Sequence, residues 1–192
     1  FGTDANIFCG SFLNKDNTSI NPAIYDKFKV EKFDVIIGNP PFNDSQDNEG
    51  KKGGGHSLWY YFVKYSLKVL KDKSGYLSFV HPASWRKPES SQSKNKGLFK
   101  LMSKDNTIKY LEIHNTEDGA KTFNAGTRYD WYIINKTPNT IKTVIKDEIG
   151  KISHIKLSNW DFLPNFELNF IQKLIKKPNE IGLNVIFNAS QF

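Results

Sequence analysis

Cysteine is almost absent, Cys9 being the only one in 192 residues. An internal disulfide is therefore excluded, as is a zinc site built on several thiolates, and a reducing compartment is expected. Long apolar runs are missing as well. None approaches the roughly 20 residues that a membrane-spanning helix needs, and no secretory signal is visible, so a soluble, cytoplasmic protein with no membrane partner is expected. Acidic residues fall short of basic ones: 20 Asp and Glu against 27 Lys and Arg give a formal charge of +7. That balance favours a polyanionic partner, with nucleic acid ahead of an acidic surface. His56 has no ligand partners at metal-binding spacing, so no metal is expected. Internal repeats and low-complexity tracts are also lacking.

What is present centres on FDVIIGNPPF, residues 33–42. Val35, Ile36 and Ile37 form a short β-branched run, the pattern of a strand buried on both faces at the centre of a mostly parallel sheet. Gly38 ends it. Asn39 and Pro40 each precede a proline, which biases both toward extended backbone, and the prolines have fixed φ and no N–H to donate. The ladder must stop there, leaving a rigid tetrapeptide at the strand's carboxyl edge, where open α/β sheets place ligands. An amide side chain stands at one end of it and an aromatic ring at the other. A plain strand followed by a Pro-Pro turn has the same local chemistry.

The rest of the chain reads as alternating elements. Ile7 to Leu13 suggests a strand running into a loop, and residues 15–32 a polar connection with about one turn of helix. Residues 43–56 are Gly-rich and without apolar periodicity, a loop in which Lys51 and Lys52 are placed to touch phosphates. Ser57 is a candidate N-cap for a helix carrying Leu58, Phe62, Tyr65 and Val69 on one face, ending at Ser74–Gly75. Tyr76 to Val80 is a second strand, followed by HPASW, so strand, helix and strand form a βαβ unit if the strands are parallel. His81, Pro82, Ser84 and Trp85 are expected at the rim of the site. The basic loop after it offers Arg86 and Lys87 as DNA-backbone contacts, or is simply solvated. A short helix over 97–103, strands over 108–113 and 129–135, a loop around Glu117, Asp118 and Gly119, a hairpin around Gly150 and an amphipathic helix capped by Asn165 follow.

The tetrapeptide Asn39-Pro40-Pro41-Phe42 resembles the catalytic motif of S-adenosylmethionine-dependent methyltransferases acting on amino groups. GYLSFVHPASW, residues 75–85, and AKTFNAGTRYDWYIINK, residues 120–136, resemble further segments of the gamma-ordered N6-adenine DNA methyltransferases of restriction-modification systems. IFCGSFL, residues 7–13, is similar to a motif whose acidic residue binds the cofactor's adenine, with Ser11 at the usual Asp position and Phe12 as the ring that packs on the adenine. A hydroxyl there is a weaker acceptor than a carboxylate.

The resemblance implies an α/β, Rossmann-like fold, a site-specific methyl transfer to adenine N6, S-adenosylmethionine as cofactor, and double-stranded DNA with restriction or specificity subunits or domains as partners. It implies catalysis by Asn39, Pro40, Pro41 and Phe42, with Phe42 and Phe123 sandwiching the extruded base. The delocalised N6 lone pair would be drawn back onto nitrogen by two acceptors, the Asn39 side-chain oxygen and a proline carbonyl. No Gly-x-Gly pattern precedes the motif, so the Gly-rich cofactor loop of such enzymes is expected upstream of Phe1, and residues 1–192 are expected to be inactive alone. Residues 1–138 are expected to be catalytic, and 139–192 an extension or a junction to a target-recognition domain. Alternatives that use the same motif are protein-glutamine or rRNA N-methylation, and a non-catalytic nucleic-acid-binding remnant of the fold is a further one.

Overall fold

The computed structural model describes residues 6–43, 57–88 and 95–175. Lys51 and Lys52 lie outside the described residues. Six strands form one sheet: β1 (Val35–Gly38), β2 (Tyr76–Pro82), β3 (Thr107–His114), β4 (Tyr129–Asn135), β5 (Thr143–Lys146) and β6 (Ile152–Ile155). Their order is β1-β2-β4-β3-β5-β6. β1 and β2 pair in parallel, as the βαβ reading requires, and so do β3 and β5; the pairings of β2 with β4, β3 with β4, and β5 with β6 are antiparallel. β1, β2, β3 and β5 thus share one direction, and β4 and β6 run against them. The class is α/β with most strands aligned, although interleaving makes the neighbour pairings mixed.

One expectation is corrected. Among the described residues β1 lies at the edge of the sheet and not at its centre, and its faces are unequal. Val35 is 57% and Ile37 75% exposed, whereas Ile36 packs against the core. The β-branched run signalled two covered faces, but among the described residues β1 has a strand neighbour on one side only, and the helices that bury side chains of the sheet cover the other face.

The core lies between that covered face and the helices α2 (Trp59–Val69) and α3 (Leu98–Ser103). Leu77, Phe79, Ile108, Leu111, Tyr132, Ile134 and Ile145 alternate inward and meet Trp59, Val63, Leu67, Phe99 and Met102. Leu157, Trp160, Leu163 and Leu168 enter this same core, and β5 and β6 extend the same sheet, so residues 143–168 are built into it. The helix expected with Asn165 as its cap is α5 (Leu168–Leu174), which instead starts after Glu167 and has no side-chain cap. A satellite cluster joins α1 (Pro22–Phe28) and the segment before it to the outer face of α2 through Leu13, Ile20, Ile24 and Tyr65. Asn21 caps α1 by accepting from Ala23 N, with Pro22 at the first helical position. Where a loop was expected around Gly119, the chain forms α4 (Thr116–Phe123), capped by Asn115, whose side chain accepts from Asp118 N.

Candidate active site

The carboxyl end of β1 delivers the tetrapeptide. Asn39 is exposed, Pro40 buried, Pro41 exposed and Phe42 half-buried. The segment is then pinned: Leu58 N donates to Phe42 O at 3.2 Å, and Asn43 forms an antiparallel bridge with Ser57. The motif is thereby joined to the start of α2. Trp59, the first residue of that helix, stacks on His81 of β2, with ring centroids 4.3 Å apart. His81 is fully buried, and burial lowers its pKa to about 4, so the ring is neutral at ordinary pH. Its Nδ1 lies 3.0 Å from Pro82 O and its Nε2 2.9 Å from the Tyr132 hydroxyl. A neutral ring therefore donates from Nδ1 and accepts the Tyr132 proton at Nε2. His81 and Trp85 are core residues, a correction to their placement at the rim; Pro82 and Ser84 are half-buried.

Phe42 and Phe123, far apart in sequence, meet edge-on with centroids 5.5 Å apart at 65°. Phe123 is the last residue of α4, and its ring also stands perpendicular to Tyr129 at 4.9 Å. Tyr129 in turn lies flat on His114, at 4.4 Å and 2°. Sheet register puts these rings at one edge, since Pro82 pairs with Tyr129 and Tyr129 with His114.

Arg86 is a further correction. Its side chain is 3% exposed and forms an ion pair with Asp130 at 2.7 Å. The guanidinium also donates to Leu163 O, Pro164 O and Asn165 Oδ1. With its donors committed internally, it cannot serve as a phosphate contact. Asp130 Oδ2 also accepts from Trp85 Nε1 at 2.8 Å. Burial pushes the Asp130 carboxyl above its usual range, opposed by the Arg86 charge and the Trp85 donor. One acid thus ties the turn after β2 to β4, and Arg86 carries the tie on to residues 163–165. In the sequence Arg86 stands in a basic loop, and the carboxylate at the second position of the strand YDWYIIN is the available sign of an internal partner. Lys87, by contrast, is exposed. It lines a cavity of about 790 Å³ with Arg128, Phe162, Phe166 and Phe170. Neither that cavity nor one of about 600 Å³ beside Tyr60 and Tyr61 is lined by Asn39 or Phe42.

Ser11 and Phe12 sit on the other side of α2. Phe12 stacks on Phe62 at 5.0 Å and 16°, and Asn21 fixes the backbone by donating from Nδ2 to Ser11 O and from N to Phe12 O. Ser11 is exposed and Phe12 half-buried. An exposed hydroxyl next to a ring with one face packed suits a flat heteroaromatic group on the other face. No group of His, Cys, Asp and Glu capable of holding a metal occurs among the described residues, and none of their helices is long and apolar enough to cross a membrane.

An "uncharacterized adenine-specific methylase" of Mycoplasma pneumoniae is 34% identical over 74 residues, covering 38% of this chain and 17% of the relative. The match thus spans less than a fifth of that protein's length. Among solved structures, the M protein of the type I restriction enzyme EcoKI is similar at 13% identity and a TM-score of 0.45, over 64% of this chain and 26% of the other. A type I restriction-modification methyltransferase subunit from Streptococcus thermophilus matches at 17% identity and a TM-score of 0.42, over 79% and 33%. The family profile described as Eco57I restriction-modification methylase matches residues 4–123, a span that runs from before Ser11 through Asn39-Pro40-Pro41-Phe42 to Phe123, and the chain belongs to that family.

Proposed function

We propose that the protein of which these residues form part transfers a methyl group from S-adenosylmethionine to adenine N6 in double-stranded DNA, as the modification activity of a restriction-modification system. The observation that carries this reading is the meeting of Phe42 and Phe123 beside Asn39-Pro40-Pro41 at the carboxyl edge of the sheet. Adenine N6 is paired inside a duplex, so the base must leave the stack before any reaction. Two aromatic rings from separate segments give an extruded base the stacking it has lost, worth roughly 1–3 kcal/mol per base.

Asn39 Oδ1 and a carbonyl of the proline pair accept the two N6 hydrogens, which concentrates the lone pair on nitrogen without a strong base. Buried Pro40 fixes the height of that carbonyl. S-adenosylmethionine, when bound, would supply the electrophilic methyl carbon. The surplus N6 proton is released to solvent. Ser11 and Phe12 would hold the cofactor's adenine, through the hydroxyl and the aromatic ring. Lys87, exposed at the same edge, contacts the DNA backbone. Methyl groups from labelled cofactor should appear in DNA as N6-methyladenine when the full-length protein is supplied. Label recovered in protein glutamine or in rRNA, with none in DNA, would overturn the assignment.

A further inference from the structure

We propose that Gly119 is a positioning residue that seats Phe123 against Phe42, so that the two rings close the base pocket on themselves until an extruded base parts them. The inference rests on the reading of this edge as an adenine pocket and adds to it how the pocket is held when no base is present.

A base with one ring on each face needs the rings nearly parallel and two stacking intervals of about 3.4 Å apart, roughly 7 Å in all. Phe42 and Phe123 are at 5.5 Å and 65°. They touch each other, and no purine fits between them. Phe123 must turn and withdraw by about 1.5 Å to admit one.

Its position is set by the seat of α4. Gly119 is buried within this helix, and a Cβ there would lie inside the contact distance of Thr127 O and 3.0 Å from Ala125 O. The helix backbone therefore rests directly on the 125–127 segment, at a distance only glycine permits. Asp118 Oδ2 lies 3.2 Å from His114 Nδ1, and Thr122 Oγ1 lies 3.3 Å from the Tyr129 hydroxyl. Asn124, in the left-handed region at φ 53°, ends α4 immediately after Phe123. A displacement of the helix is consequently passed to the Phe123 ring. A side chain at 119 would push α4 off its seat and part the rings, even though Ala is the better helix former.

The test uses full-length protein and duplex DNA with a fluorescent adenine analogue at the target position, following in stopped flow the fluorescence rise as the base leaves the stack. Phe123→Ala should speed the rise roughly three- to tenfold, the contribution of an edge-on aromatic pair, while weakening final affinity. Gly119→Ala should speed it likewise with a smaller affinity loss, since the second ring is retained. Asp118→Asn loosens the same seat and serves if Gly119→Ala does not fold, as judged by circular dichroism. Phe123→Tyr, which keeps the ring, should restore the wild-type rate. Wild-type rates in Phe123→Ala, or in whichever seat variants fold, would overturn the proposal while leaving the adenine pocket intact. Absence of any fluorescence rise with wild-type protein would instead sink the adenine pocket, and this inference with it.

Discussion

Replacing Arg86 by methionine keeps much of the side-chain volume and removes the charge that faces Asp130 in the buried ion pair at 2.7 Å. The carboxylate is left fully buried with the Trp85 indole as its remaining donor. The acceptors at Leu163, Pro164 and Asn165 also lose the guanidinium. Removing one partner of a buried pair costs about 3–5 kcal/mol. At about 2–4 °C per kcal/mol for a chain of this size, Tm should fall by roughly 6–20 °C. Lys71→Met is the control. Its pair with Asp34 is 47% and 72% exposed, so the change should stay below about 1 kcal/mol. Thermal and urea melts of the two variants against wild type measure both. Equal, small losses would refute the clamp, and loss of DNA affinity by Arg86→Met without loss of stability would restore Arg86 as a phosphate contact.

Between pH 6.5 and about 4 the unfolded His81 imidazole takes up a proton that the buried one refuses. The unfolded state then binds more protons, so the stability His81 contributes is full above pH 6.5 and falls by up to about 3 kcal/mol as pH drops through that window. His81→Phe should flatten this part of the curve of stability against pH, and an unchanged slope would contradict neutral burial. Lys87→Ala should lower the slope of log affinity against log salt by about 1, uniformly over DNA sequences; an unchanged slope would remove Lys87 from the interface. Phe42→Ala should weaken binding to target-containing DNA by roughly 1–3 kcal/mol, and less on a mismatched target already partly unpaired. Equal losses on the two DNAs would mean that the ring does not support an extruded base.

The parts of the fold legible in the sequence were those with a strong local pattern. The Gly38 stop and the two prolines fixed where β1 ends, apolar spacing marked α2 as a helix, and the aromatic and β-branched runs marked β2 and β4 as strands. The side of the sheet on which β1 stands was not legible, because Val-Ile-Ile is equally good strand sequence whether or not a neighbour covers it. Arg86 read as a surface cation because its acid, Asp130, is 44 residues away and comes beside it only through the pairing of β2 with β4. The helix α4 was hidden by its composition: TEDGAKTF has little apolar periodicity and a mid-helix glycine, which lowers helix propensity but meets a packing need at Thr127. Phe123 stands out in the sequence only through the resemblance, and its contact with Phe42 depends on α4.

In the proposed function Asn39 acts on the target amine and not on the methyl donor. Single-turnover methylation of target DNA by full-length Asn39→Ala, with cofactor binding measured on the same sample, tests it most directly. The transfer rate should fall by about 10² to 10³, the scale of removing one group that stabilises transition-state charge, with cofactor affinity nearly unchanged. Near-normal transfer, or a loss accounted for by weaker cofactor binding, would contradict it.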